Sequence, residues 1–332
     1  MVILRKESLT NLKERWNALV YQNNTMQPYQ EWKMTSIIHK YYLPFIISEK
    51  EVPVYFSFNE DNDIIAIAPM VRRYGDKYSY ANFGKAPTIA IKDFIYPSRM
   101  SLKKMIECLE VMRAELGAIR FYDVPEYSLL YQALEKMGKR CKDHIYTMIS
   151  FGGGYNAYYQ ALTKHMRQNI RTAYNYLEKN GIECAFEIIR GKELLRDDED
   201  KLMEIYLSRR GEHKKVDSAL HKYYLKHFHY YTLAHRKLES SYFGILRLNG
   251  DIAAFWSGFC NPTKDYISCP RLALDAKYSR CSPGIILLCE TAKMMEKSTG
   301  INQLDLSRGN HDYKMRMGGV NYYSHDYILE SK

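Results

Sequence analysis

Apolar positions along the chain fall into one series of elements that occurs twice. Val54-Tyr55-Phe56-Ser57-Phe58 and Ile64-Ile65-Ala66-Ile67-Ala68 flank a polar turn over Asn59–Asp63, which predicts strand, turn and strand. Tyr242–Leu248 and Ile252–Trp256 repeat that pattern about the turn Asn249-Gly250-Asp251. Each hairpin leads to a further strand (Tyr78–Phe83; Asp265–Leu274), a helix with one apolar face (Ser101–Leu116; Pro283–Thr299) and a short strand (Ala118–Val124; Ile301–Leu306). The same order of elements twice in 332 residues predicts an α/β protein of two related units with mixed sheets. The boundary is expected at the glycine run 152–154, giving units 1–150 and 151–332.

Two helical stretches lie between the repeats. Asn156–Asn180 is expected as one helix ending at Gly181, with Leu162, Met166, Ile170, Ala173 and Leu177 on one face and Lys164, Arg167 and Arg171 opposite. That basic stripe suits an anionic part of a substrate, and equally a solvated surface. Asp197–Leu238 is expected as two helices broken near Gly211–Asp217, the first opening on the acidic run Asp197-Asp198-Glu199-Asp200 that a helix N-terminus favours. His213, His221, His227, His229 and His235 fall in this stretch, but His227 and His229 project from different faces and no carboxylate cluster accompanies them, so no metal site is expected.

The chemistry is expected in the second unit. Tyr278-Ser279-Arg280-Cys281-Ser282-Pro283-Gly284 joins a strand to a helix, with Ser282 placed to cap it, Pro283 where no N–H is needed and Gly284 where backbone can approach a ligand. A diphosphate would meet the positive end of the helix there, and Arg280 would add a charge-assisted bond. An ordinary capped helix is the other reading. The matching segment of the first unit, Tyr96–Ser101, has no glycine, so that unit is expected to bind no cofactor.

A second candidate region follows the last repeat strand. There Asp305 would accept a proton or orient the acceptor, Arg308 would hold a phosphate or carboxylate, and Tyr313 would donate a proton to a leaving group. Lys314 joins Lys164, Arg167 and Arg171 as residues expected to meet an anion, with Trp256 expected at the substrate.

Composition narrows this picture only in part. A net charge of +10 favours an anionic partner, and thirty tyrosines suit packing as well as stacking on sugars or bases. Seven cysteines, an odd number without close pairs, read as reduced thiols. Cys281 stands out because the helix N-terminus and Arg280 would lower its pKa, although no base accompanies it. No apolar run is long enough to span a bilayer, and the charged start, Arg5-Lys6-Glu7, does not suit a secretory leader, so a cytoplasmic location is expected.

The loop ending at Gly284 and its aliphatic helix, then Asp305-Leu306-Ser307-Arg308-Gly309 and Tyr313-Lys314, resemble the GNAT-type acetyltransferase domain of cellulose-biosynthesis-associated proteins, relatives of the Fem aminoacyltransferases. The stretches Asn24–Trp32 and Thr163–Arg171 resemble the same family. The resemblance implies a tandem GNAT fold and transfer of an acyl group from acetyl-CoA or another acyl-CoA to an amine or hydroxyl of a sugar or cell-envelope precursor. In the Fem branch the donor is aminoacyl-tRNA and the acceptor a peptidoglycan precursor; a third alternative is a protein of this fold that only binds glycan. It further implies that Leu272, Ala273 and Leu274 hold the pantetheine arm, and that Arg280, Ser282, Gly284 and Ile285 hold the diphosphate. Direct attack by the acceptor needs no enzyme nucleophile, only positioning, proton removal and oxyanion donors. This sequence departs from the usual loop spacing between Arg280 and Gly284, and Pro283 removes one donor.

Overall fold

A computed structural model describes residues 1–23, 27–37, 39–40, 51–83, 92–212 and 218–331. Asn24-Thr25-Met26 of the family-like N-terminal stretch, and His213, lie outside these residues. The first elements are β1 (Ile3–Glu7), α1 (Lys13–Tyr21), α2 (Trp32–Ile37), β2 (Glu51–Glu60), β3 (Asp63–Arg73), β4 (Tyr80–Asn82), α3 (Leu102–Leu116), β5 (Ile119–Pro125), α4 (Leu129–Met137) and β6 (Lys139–Ser150). They are followed by α5 (Gly154–Ala161), α6 (Lys164–Lys179), β7 (Cys184–Arg190), α7 (Arg196–Glu212), α8 (Ser218–Lys237), β8 (Ser241–Leu248), β9 (Asp251–Cys260), β10 (Ile267–Leu274), α9 (Pro283–Thr299), β11 (Gln303–Arg308), α10 (Asp312–Arg316) and β12 (Val320–Leu329). Among the described residues no helix is long and apolar enough to cross a membrane.

The chain segregates into two compact units, residues 1–145 with 322–332, and residues 146–321. In the first the strands run β1-β2-β3-β4-β5-β12. Neighbours are antiparallel except β4 and β5, which pair in parallel at Tyr80↔Ile119 and Ala81↔Arg120. In the second unit the strands run β7-β8-β9-β10-β11-β6, again antiparallel except for the parallel pair β10 and β11. The repeat read from the sequence is present in both units. Each sheet is closed by a strand from elsewhere in the chain: β12 belongs with the first unit, and the end of β6 with the second. Neither strand shows a clean apolar alternation. β6 opens on five exposed residues and β12 has four buried ones in a row, so period-2 reading finds neither.

Both hairpins turn on two left-handed residues, Asp61 (φ 49°) with Asn62 (φ 64°), and Asn249 (φ 50°) with Gly250 (φ 84°). Asp, Asn and Gly tolerate that conformation, so the first turn is tighter than the five polar residues suggest. The helix expected over Asn156–Asn180 is two helices. The Thr163 side chain accepts a bond from Met166 N at 3.2 Å and starts α6 afresh, after Leu162 has turned to extended backbone.

The second unit's sheet is covered on both faces. One core joins Leu246, Ala254 and Trp256 to Ile170, Leu177, Leu288 and Met295 of α6 and α9; the other joins Ile245, Phe255 and Ala273 to Leu202, Tyr206 and Phe228 of α7 and α8. Trp256 does not face a substrate. It is fully buried, its Nε1 donates to Thr291 Oγ1 at 2.8 Å, and that hydroxyl donates to Leu287 O at 2.7 Å, fastening α9 to the sheet. Its ring lies across Gly244 on β8, where a Cβ would come within 2.2 Å of Trp256 Nε1, so only glycine fits opposite it.

In the first unit, burial pushes the Asp93 carboxyl up to about 7, against bonds from the Tyr96 hydroxyl and the Phe94 amide that pull it down. The folded protein therefore keeps a proton that the unfolded chain, with an ordinary carboxyl, has already released. Stability contributed by that proton is present at acid pH and is lost as pH rises from about 4 to about 7. Thermal unfolding across this range should show that decline in the wild type and a flatter profile in Asp93→Asn.

Candidate active site

The parallel pairing of β10 with β11 is brief. It consists of Ile267↔Leu304 and Ser268↔Asp305, after which β10 continues to Leu274 and β11 to Arg308. Past that fork an open pocket of about 500 Å³ is lined by Leu272 and Leu274 of β10, Asp275, Ala276, Ser279 and Ser282 of the connecting loop, Pro283, Gly284, Ile285 and Leu288 of α9, and Tyr313 and Met317. Period-2 alternation explains the β10 contribution: Leu272 and Leu274 face the pocket, whereas Ala273, expected to join them, is buried in the core under α7 and α8.

The loop folds as a short 3-10 helix, Ala276–Cys281, and reverses at Ser282, which takes the left-handed conformation (φ 53°, ψ 51°). Ser282 occupies the cap position of α9 without a side-chain cap bond. Several main-chain donors are already used: Ser282 N bonds Ser279 O at 3.1 Å, and Ile285 N and Ile286 N bond Ser282 O at 3.0 and 3.3 Å. Pro283 has no N–H. The Gly284 amide, at the second helical position, lacks an intrahelical acceptor and lies in the pocket wall beside the Ser279 and Ser282 hydroxyls. The pocket thus presents the positive end of a 17-residue helix and a few donors, with the apolar side chains of Leu272, Leu274, Ile285, Leu288 and Met317 over most of its wall.

A Cβ at Gly284 would come within 3.3 Å of Leu274 Cδ1 and press on that side chain, so a larger residue would narrow the pocket. Arg280 is exposed and outside the pocket lining. Cys281 is buried and its thiol pKa is raised by desolvation, the opposite of the direction expected from the helix end and Arg280.

Of the second candidate region, Tyr313 lines the pocket. Asp305 is buried at the fork itself, its Oδ2 accepting from Ser268 Oγ at 3.2 Å and its Oδ1 from Ser307 N at 2.8 Å. The latter bond steadies Ser307 at a positive φ of 63°. Lys314 is no anion receptor. Only 2 % exposed, its Nζ lies 2.8–3.0 Å from four carbonyl oxygens, those of Leu306, Ser307, Arg308 and Gly309. The ammonium gathers the whole turn after β11 and so sets its neighbours Tyr313 and Met317 against the pocket. Arg308 is exposed, its guanidinium 6.0 Å from the centre of the Tyr146 ring.

The basic stripe on α6 is partly committed to structure. Arg167 donates to the carbonyls of Gln160 and Leu162, closing the end of α5, and Arg171 donates to Tyr159 Oη and Gln168 Oε1. Lys164 is exposed, and none of the three lines the pocket. The sequence reading missed Asp275, Ser279, Leu288 and Met317 in the pocket wall. The signal for Met317 was its place four residues after Tyr313, one helical turn on.

Residues 164–315 match the family model of the acetyltransferase (GNAT) domain. The structure of FemX is similar over 98% of this chain and 97% of its own, at 10% identity and a TM-score of 0.66. A tandem GNAT protein from the clavulanic acid biosynthesis pathway is similar over 100% of this chain and 99% of its own (7% identity, TM-score 0.55), and L-PGS from Bacillus licheniformis over 96% and 91% (13% identity, TM-score 0.53). No curated protein sequence matches. The fold is therefore a tandem GNAT fold, and all of the pocket's lining residues except Met317 lie in the segment that the GNAT family model covers.

Because one ammonium serves four carbonyls, of which that of Gly309 also has the Thr147 hydroxyl, Lys314→Met should lower unfolding free energy by on the order of 3 kcal/mol, as read by urea denaturation. A change below about 0.5 kcal/mol would contradict this account of the turn.

Proposed function

We propose that the protein is a cytoplasmic acyltransferase, akin to the cellulose-biosynthesis-associated GNAT proteins, that moves an acyl group from acyl-CoA to an amine or hydroxyl of a sugar or cell-envelope precursor. The observation that supports this most is the pocket at the strand fork, with its apolar wall from Leu272, Leu274, Ile285 and Leu288 and the N-terminus of α9 at its edge. An apolar cleft suits the pantetheine arm and acyl chain. The Gly284 amide, the Ser279 and Ser282 hydroxyls and the helix dipole suit the diphosphate, and Arg280 would reach it only from the solvent side. Acyl-CoA would supply the activated acyl group. Tyr313, in the wall, is the residue placed to give a proton to the departing thiolate. Asp305, buried and bonded to the Ser307 amide, is read as a positioning residue that holds the fork and the turn beyond it.

A second reading, transfer from aminoacyl-tRNA to a peptidoglycan precursor, is favoured by the net charge of +10. It predicts steeply salt-dependent tRNA binding without acyl-CoA binding.

Calorimetric titration with acetyl-CoA, longer acyl-CoAs and tRNA separates the two. Under the first reading an acyl-CoA binds and raises the melting temperature. Gly284→Val, which fills the space beside Leu274, should weaken that binding at least about tenfold, roughly 1.4 kcal/mol, while the protein stays folded. Tyr313→Phe should lower kcat more than it changes KM. Wild-type protein that binds no acyl-CoA, or a Gly284→Val variant that binds as well as wild type, would remove the first reading.

A further inference from the structure

The face of β10 opposite the pocket holds a different chemistry. Arg271 is 2 % exposed, and its Nη2 donates to His227 Nδ1 at 2.7 Å and, at 3.3 Å, to His227 O. Since a guanidinium only donates, His227 accepts there as a neutral imidazole. The guanidinium carbon lies 3.4 Å from the centre of the Tyr231 ring, 4.8 Å from Tyr206 and 5.1 Å from Phe228. Those rings attract the cation, but they cannot accept its in-plane N–H bonds as an oxygen does. Nε and Nη1, which carry three of the five N–H groups, have no hydrogen-bond partner among the described residues, and no carboxylate there forms an ion pair with Arg271.

The same shortage surrounds it. Ser257, the cross-strand neighbour of Arg271 on β9, is 1 % exposed with an unpartnered Oγ. His235 is fully buried with both ring nitrogens unpartnered, its ring 4.4 Å from Tyr231 and stacked at 4.1 Å on Phe259. Apart from Ser240, the second unit's buried unpartnered polar side chains, among the described residues, are these three. Burying a cation without a counter-charge, beside donors without acceptors, is unfavourable by several kcal/mol. An oxyanion in the plane of the guanidinium would supply the missing counter-charge and accept from the open Nη1 or from the open Nε, which lie on different edges of the group.

We propose that Arg271, with Ser257 and His235, forms a receptor for an oxyanion on the α7–α8 face of the sheet. Resting on the acyltransferase reading, that oxyanion is a carboxylate or phosphoryl group of the acceptor, which would reach the fork from the side opposite the acyl donor.

With the donor pocket filled by saturating coenzyme A, the test compares melting temperatures in rising inorganic phosphate and in rising acetate, each against sodium chloride at equal ionic strength. The wild type should show a saturable rise with one of the two, phosphate marking a phosphoryl group and acetate a carboxylate. Arg271→Met should remove the rise while starting from equal or higher stability, because it exchanges an uncompensated buried charge for an apolar side chain. Ser257→Ala should shift half-saturation several-fold upward. Acyl-CoA titration of Arg271→Met should match the wild type, so a failure of the donor pocket and a failure of this receptor are read separately. No saturable rise in the wild type, or a rise that survives in Arg271→Met, overturns the proposal. Should Arg271→Met not fold, unchanged half-saturation in Ser257→Ala overturns it.

Discussion

The ammonium of Lys314 sits where a chain reversal brings four carbonyl groups together, of which that of Gly309 also accepts from the Thr147 hydroxyl. Leu306 to Gly309 leave β11 with their oxygens converging on that one cation. The turn they form passes through left-handed residues at Ser307 and Gly309, with Asp305 holding the Ser307 amide from the other side. A desolvated lysine is tolerated because carbonyl dipoles replace its water. Tyr313 and Met317 inherit their positions from it, and with them one wall of the pocket.

The second organising constraint is the short parallel ladder between β10 and β11. Two residue pairs hold the strands together and then release them, so β10 presents both of its faces to separate environments. Leu272 and Leu274 give one face an apolar cleft beside a helix N-terminus, while Arg271 and Ala273 give the other a cationic spot within an aromatic core. A transferase that brings a donor and an acceptor together has use for such a division, because the strand between them is rigid and shared.

Much of this was legible in the sequence because the signals were local. The paired hairpins, the helix from Pro283 to its glycine stop at Gly300, and the acidic first turn of α7 follow from periodicity, turn chemistry and capping. Leu272, Leu274, Ser282, Gly284, Ile285 and Tyr313 do meet in one pocket. What sequence could not disclose was the destination of long side chains. Lys314 and Arg308 look alike as basic residues near a glycine, yet one is buried in carbonyls and the other exposed. Trp256 reads equally as a platform for substrate or as core until its partner Thr291 is found on α9. Arg271 gave no signal, since its meaning lies in bonds that are missing rather than in neighbours along the chain.

The provenance of β12 bears on how the protein is made. The edge of β5 that this strand covers belongs to the first unit, yet its partner is synthesised only after the chain of the second unit. Until then the nascent first unit keeps an open strand edge, the kind of surface that recruits unwanted β-pairing or a chaperone. Vectorial synthesis therefore cannot finish the two units one after the other; the earliest sheet to begin is among the last to close.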